Sequence, residues 1–177
     1  GHAETLAHRI GRKRVLGGST THSAWKDGDG SVHWSGRGVV ELGQLDGSGM
    51  AGVSKELYDA LEAAGLIPKW SSDIQSVIWR KLLINVAINP VCAIAGVRNG
   101  ALAQVPELWE QSIEAMREAE LVARAAGIDV GDGDTEDYLR KVVIATADNR
   151  VSMLQDLMAG RRTEIDALCG EVVAKGE

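Results

Sequence analysis

The chain has 177 residues, 45% of them hydrophobic and 25% charged, enough to bury a core and too apolar for a disordered segment. Nineteen Lys and Arg against 25 Asp and Glu leave a net charge of −6, which argues against a nucleic-acid binder. Two cysteines, Cys92 and Cys169, are too few for a disulfide scaffold or a four-thiolate zinc site. Both are expected to be buried, reduced thiols, as in a cytoplasmic protein.

In chain order, residues 2–10 predict a helix stopped by Gly11. Arg14 to Trp25 reads as a strand. Lys26-Asp27-Gly28-Asp29-Gly30 is a hairpin turn with two Asp-Gly steps. Ser31 to Trp34 and Gly38 to Leu45 continue as strands, so a small antiparallel meander is expected. Val53 to Ala64 places Val53, Leu57, Ala60, Leu61 and Ala64 on one helical face, and Gly65 ends it. Leu66 to Trp70 predicts a short strand. Ser72 and Gln75 have the spacing of a capping box.

The rest of the chain is helical. A long helix is predicted over Asp73 to Ala95, kinked at Pro90. Others run from Pro106 to Ala126, Thr135 to Ala147, Val151 to Ala159 and Thr163 to Lys175. The apolar stretch Leu82 to Val97 is interrupted by Asn85, Asn89 and Pro90, and reads as too short to span a membrane. A boundary falls near residue 71, between a β-rich part (1–71) and a helical domain (72–177). The chain opens on Gly1 rather than Met, which suggests either a tag scar or a piece of something longer.

Gly47-Ser48-Gly49-Met50-Ala51-Gly52 matches G-x-G-x-x-G between a strand and a helix. The preceding strand carries Glu41, Gln44 and Asp46, unlike the apolar first strand of a nucleotide domain. Asp46 would also set a carboxylate where phosphate should sit. The loop is therefore read as a connection.

Lys81, Asn85 and Asn89, spaced i, i+4 and i+8, form one stripe on an otherwise apolar helix. Two readings stay open: a solvent-facing edge, or a site that holds a carboxylate and a carbonyl. Two asparagines of poor helix propensity are odd on a merely exposed face. Asn99-Gly100 is either an N-cap or a polar donor at a pocket mouth. Asn149 and Ser152 flank a helix start, where free N–H groups attract anions, although Ser152 could simply be an N-cap. Glu164 begins the last helix, where its charge suits the N-terminus. His2, His8, His22 and His33 show no metal-ligand spacing, and no metal site is expected.

W-R-K-L-x-x-N-x-x-I-N-P (Trp79 to Pro90), N-G (Asn99-Gly100), S-M-L-Q-D (Ser152 to Asp156), R-R-T-E-I-D (Arg161 to Asp166) and T-T-H-S-A (Thr20 to Ala24) occur in this order. Together they resemble the 2-dehydropantoate 2-reductases, or ketopantoate reductases. The resemblance implies a mostly α chain, with a helical C-terminal dehydrogenase domain preceded by the trailing part of an α/β Rossmann domain. It implies NADPH-dependent reduction of 2-dehydropantoate to (R)-pantoate, on the route to pantothenate and coenzyme A. By resemblance Lys81 is the general acid. Asn85, Asn89, Asn99 and Ser152 contact the keto acid, and Ala24 and Glu164 contact the cofactor. The family's glycine-rich loop lies near its N-terminus and has no counterpart here, so the chain alone is expected to be inactive. A reductase of another 2-keto acid, or a non-catalytic helical module forming a homodimer, are the competing expectations.

Overall fold

The computed structural model describes residues 2–177, apart from the side chains of Trp25, Lys26 and Ser35. The chain divides into two compact units, one ending at Ile78 and one running Trp79–Glu177.

The first unit opens with α1 (His2–Ile10) and a 3₁₀ turn over Arg12–Arg14. Strands follow at β1 (Leu16–Thr20), β2 (Ser23–Lys26), β3 (Val32–Gly36) and β4 (Val40–Gln44). Then come α2 (Val53–Ala63) and β5 (Pro68–Trp70). The single strand expected over 14–25 is interrupted at Thr21 and His22, whose backbone and side chains turn to meet the segment after β3. Thr21 Oγ1 accepts from the N–H of Val39 at 3.0 Å, and His22 Nδ1 accepts from that of Gly38 at 3.1 Å.

The strands do not form a meander. β1 pairs antiparallel with β4, Leu16 opposite Gln44, and β4 pairs parallel with β5, Val40 opposite Pro68. β2 and β3 form a separate antiparallel hairpin. The parallel pair needs a crossover, and α2 supplies it, so β4, α2 and β5 form a β-α-β unit. The face of α2 turned inward is shifted from the expected one. Ser54 is buried and Tyr58 and Leu61 are half-buried, whereas Val53 is 79% exposed. The phenol of Tyr58 donates to the carbonyl of Pro68 at 3.0 Å, which orients the helix over β5.

Two facing glycines, Gly17 on β1 and Gly43 on β4, make room for Ile74. A Cβ on Gly43 would sit 2.4 Å from the Ser71 carbonyl oxygen and 2.8 Å from Ile74 Cβ. Ile74 is 1% exposed and forms the unit's core with Ala7, Val15, Leu45 and Val77. Gln75 Nε2 donates to Glu4 Oε1 at 2.7 Å, tying in α1, and Glu4 also pairs with Arg12.

Ile74 is the first residue of α3 (Ile74–Ala95), which continues through Pro90. Its first turn packs with the sheet and the remainder with other helices, which is why the division between units falls inside a continuous helix. The capping box does not form. Asp73 takes the cap, Oδ1 accepting from the Ser76 N–H, and Gln75 is engaged with Glu4.

The second unit adds α4 (Ala101–Gln104), α5 (Pro106–Ala125), α6 (Thr135–Ala145), α7 (Ser152–Met158) and α8 (Ile165–Gly176). The short α4 has no separate periodic signal. Its Leu102 is fully buried with Cys92 of α3, Met116 of α5, and Leu139 and Val143 of α6. Cys92 is buried as expected, but Cys169 is only half-buried. At 22 residues α3 is longer than its uninterrupted apolar stretch, and it is long and apolar enough to cross a membrane. Half of it is buried inside the protein, as befits a central helix.

Candidate active site

The stripe on α3 is neither a fully solvated edge nor a sealed row. Lys81 is exposed and Asn85 and Asn89 are half-buried, while Leu82, Leu83, Val86, Ala87 and Ile88 between them are buried. The three polar residues therefore line one side of a helix whose intervening apolar side chains are largely in the core. Partial burial of the Lys81 amine disfavours its charged form and holds its pKa below the ordinary 10.5.

The turn before α4 lies against the segment between α6 and α7. Asn99 donates its backbone N–H to the Asn149 carbonyl at 3.1 Å, and Gly100 donates to that of Ala147 at 3.0 Å. Arg98 Nη1 donates to the Asp148 carbonyl. Gly100 is required by this approach, since a Cβ there would lie 2.9 Å from Ala147 Cβ. Asn99 is 6% exposed and caps no helix: Gly100 holds the cap position of α4, and Asn99 Nδ2 donates to Thr146 Oγ1 at 2.9 Å. Residues about fifty apart in sequence are thus joined, and Asn149 stands three residues before Ser152.

Ser152 is the first residue of α7, with Val151 at the cap position and no side-chain cap. Its exposed side chain is not the N-cap that its position suggests. Glu164 occupies the cap position of α8, exposed and without a capping hydrogen bond. Ala24 is on β2, in the first unit. The structure thus groups Lys81, Asn85 and Asn89 on one helix, and Asn99 with Asn149 at one junction. Thr146 is the residue that sequence reasoning missed. A threonine just after a helix carries no signal until its partner is known.

In the loop at 47–52 the backbone N–H groups of Gly47, Ser48 and Ala51 are already taken within the protein. Asp46 Oδ1 accepts the Ser48 N–H at 3.0 Å, and this hydrogen bonding keeps the Asp46 carboxyl ionised below its usual range. A carboxylate therefore stands beside loop N–H groups that an anion would need. A cavity of about 290 Å³ lies elsewhere, lined by Arg80, Leu83, Ile84, Met116, Val130 and Tyr138 among others, and it shares no residue with the stripe. Successive helical residues are set about 100° apart, which puts Arg80, Leu83 and Ile84 on the side of α3 away from Asn85 and Asn89. No group of three His, Cys, Asp or Glu that could hold a metal occurs among the described residues.

A β-α-β segment followed by helices is the fold of reductases that join a Rossmann domain to a helical C-terminal domain. The chain belongs to the ketopantoate reductase PanE/ApbA family, whose C-terminal model matches residues 73–177 and whose other model matches residues 1–47. It is 38% identical, over its whole length, to a 2-dehydropantoate 2-reductase of Archaeoglobus fulgidus, of which it covers 58%. It is 36% identical over 159 residues to that of Escherichia coli O157:H7, covering 88% of this chain and 50% of that one. Among solved structures it resembles 2-dehydropantoate 2-reductase from Geobacter metallireducens (TM-score 0.89, 27% identity, 99% of this chain and 58% of that one). It also resembles D-mandelate dehydrogenase in complex with NADH (TM-score 0.87, 28% identity, 99% and 60%). The chain therefore spans a little over half the length of the curated relatives it matches.

Proposed function

We propose that a full-length protein carrying this sequence reduces 2-dehydropantoate to (R)-pantoate with NADPH, in the cytoplasm, as a step toward pantothenate and coenzyme A. One observation carries the reading. In a chain of this family, the lysine of W-R-K-L stands at the head of a half-buried asparagine stripe, its pKa lowered by the partial burial of its amine. NADPH supplies the hydride that reaches the substrate's carbonyl carbon.

What this chain contributes is the proton and the geometry. Lys81 donates a proton from Nζ to the carbonyl oxygen as charge develops there, giving a hydroxyl. Asn85 and Asn89 orient the substrate from the same helix face, and Asn99 and Ser152 hold it from the α4 and α7 side. Glu164, exposed at the start of α8, and Ala24 on β2 are assigned to the cofactor. The loop at 47–52 does not fit a dinucleotide phosphate, so we place the phosphate-binding loop in the part of the relatives that this chain does not span. The 177-residue chain alone is accordingly expected not to oxidise NADPH.

A second reading is favoured by the resemblance to D-mandelate dehydrogenase, whose complex with NADH and anilino(oxo)acetate matches at TM-score 0.86. It is the same chemistry on a different 2-keto acid, with NADH. The test is a full-length protein assayed with NADPH and NADH against 2-dehydropantoate and a panel of 2-keto acids. Oxidation of NADPH that is fastest with 2-dehydropantoate supports the first reading. Preference for another acid or for NADH supports the second, and oxidation with none of them overturns both.

A further inference from the structure

We propose that the cavity beside α3 is a binding site for a small apolar monocarboxylate. The tail lies against Leu83, Ile84, Met116 and Val130, and the carboxylate sits on the guanidinium of Arg80. All of these residues belong to the second unit, and the proposal does not rest on the reductase reading.

The wall sets the tail. Leu83, Met116 and Val130 are 3%, 1% and 5% exposed, yet they border a concave space of about 290 Å³. Core side chains that face such a space lose dispersion contacts on that side, and water in front of them finds few hydrogen-bond partners. An apolar group gains by replacing that water. The volume is near the lower bound of small-molecule sites, ~300 Å³, and so suits a short chain or a single ring. Arg80 and Tyr138, both exposed, stand at its edge, so the space is reached from solvent.

The polar groups at the cavity set the head. Thr135 Oγ1 spends its proton on Glu120 Oε2 at 3.0 Å. Asp134 Oδ1 accepts the Asp137 N–H at 3.0 Å as the cap of α6, and the positive end of that helix offsets its charge. Arg80 has no hydrogen bond or ion pair among the described residues. Its guanidinium is a planar fork of donors that takes a carboxylate through two parallel hydrogen bonds. An uncommitted fork beside an apolar wall selects an acid over the alcohol or amine with the same tail.

The experiment uses full-length protein without cofactor, with sodium hexanoate, 1-hexanol and hexylamine as probes. Calorimetry gives the affinities, and the ¹³C-methyl resonance of Met116, assigned through Met116→Leu, reports the place. Hexanoate should bind saturably and shift the Met116 resonance, and 1-hexanol and hexylamine should bind at least about 10-fold more weakly. Arg80→Gln, at an exposed position, should weaken hexanoate about 10-fold or more and leave 1-hexanol within about 2-fold, while Arg80→Lys should lose less. Ile84→Trp, which fills the cavity from its half-buried side, should weaken both probes. Lys81→Ala should leave hexanoate binding within about 2-fold, because the Lys81 stripe shares no residue with this cavity. Loss of hexanoate binding in Lys81→Ala with Arg80→Gln unaffected would put the acid on the stripe and overturn the proposal. Equal affinity for hexanoate and 1-hexanol, a preference for hexylamine, an unmoved Met116 resonance or no binding of hexanoate would each overturn it as well.

Discussion

Asp73 grips Ser76 with both carboxylate oxygens, Oδ1 taking the backbone N–H at 3.1 Å and Oδ2 the hydroxyl. This clasp closes the first turn of the helix that carries Lys81, Asn85 and Asn89. Replacing an N-cap of this kind by alanine costs about 1 kcal/mol. Asp73→Ala is expected to lower stability in urea unfolding by that amount, and Asp73→Asn to lose less. Ser72→Ala should be close to neutral, and a larger loss there than at Asp73 would contradict the assignment.

Gly100 allows the α4 turn to approach Ala147. An added Cβ would meet Ala147 Cβ at 2.9 Å and its carbonyl oxygen at 3.1 Å, and the second of these is backbone that cannot swing aside. Gly100→Ala should therefore destabilise the protein by about 1–3 kcal/mol, the range for overpacking. It should also raise KM for the keto acid, because Asn99 moves with the turn. Urea denaturation together with steady-state kinetics checks both parts.

The two thiols should differ in reactivity. Burial pushes the Cys92 pKa up to about 11, so almost no thiolate exists near neutral pH. Cys169 is also raised, by burial first and then by the charge of Glu118, but it is half-buried. A maleimide followed by mass spectrometry should label Cys169 slowly in the native protein and Cys92 only once the chain is unfolded. Rapid native labelling of Cys92 would show the core around Leu102 to be open.

Much of the helical unit could be read directly, because helices with caps, glycine stops and a period of 3.6 announce themselves locally. Pro106, Gly127 and Asp134 mark α5 and α6 in this way. The sheet could not be read so easily. That Leu16 pairs with Gln44, and that β4 lies parallel to β5, depends on contacts distant in sequence that no local pattern encodes. The same limit separates Lys81 from Thr146. Lys81, Asn85 and Asn89 stand out through i, i+4 spacing on one helix. The bond from Asn99 to Thr146 joins residues 47 positions apart, and only folding reveals it. The buried face of α2 differed because Tyr58 reaches the Pro68 carbonyl, a polar contact that hydrophobic periodicity does not register.

Lys81 should impose opposite pH dependences on activity and stability. A general acid must be protonated to act, so its contribution is present below its pKa and lost as pH rises through it. Desolvation lowers that pKa from 10.5, which brings the alkaline fall in kcat/KM below the pH at which an ordinary lysine would produce it. Between the lowered and the ordinary pKa the unfolded chain binds more protons than the folded one, so stability increases with pH through the same window. Lys81→Ala should cost at least ~10²-fold in turnover while removing that window from the stability curve. Lys81→Arg keeps the positive charge but does not titrate in this range, so any residual activity should lack the alkaline limb. Profiles of kcat/KM and of unfolding free energy against pH, measured on the three proteins, check each sign. Turnover in Lys81→Ala equal to wild type would remove Lys81 from the chemistry.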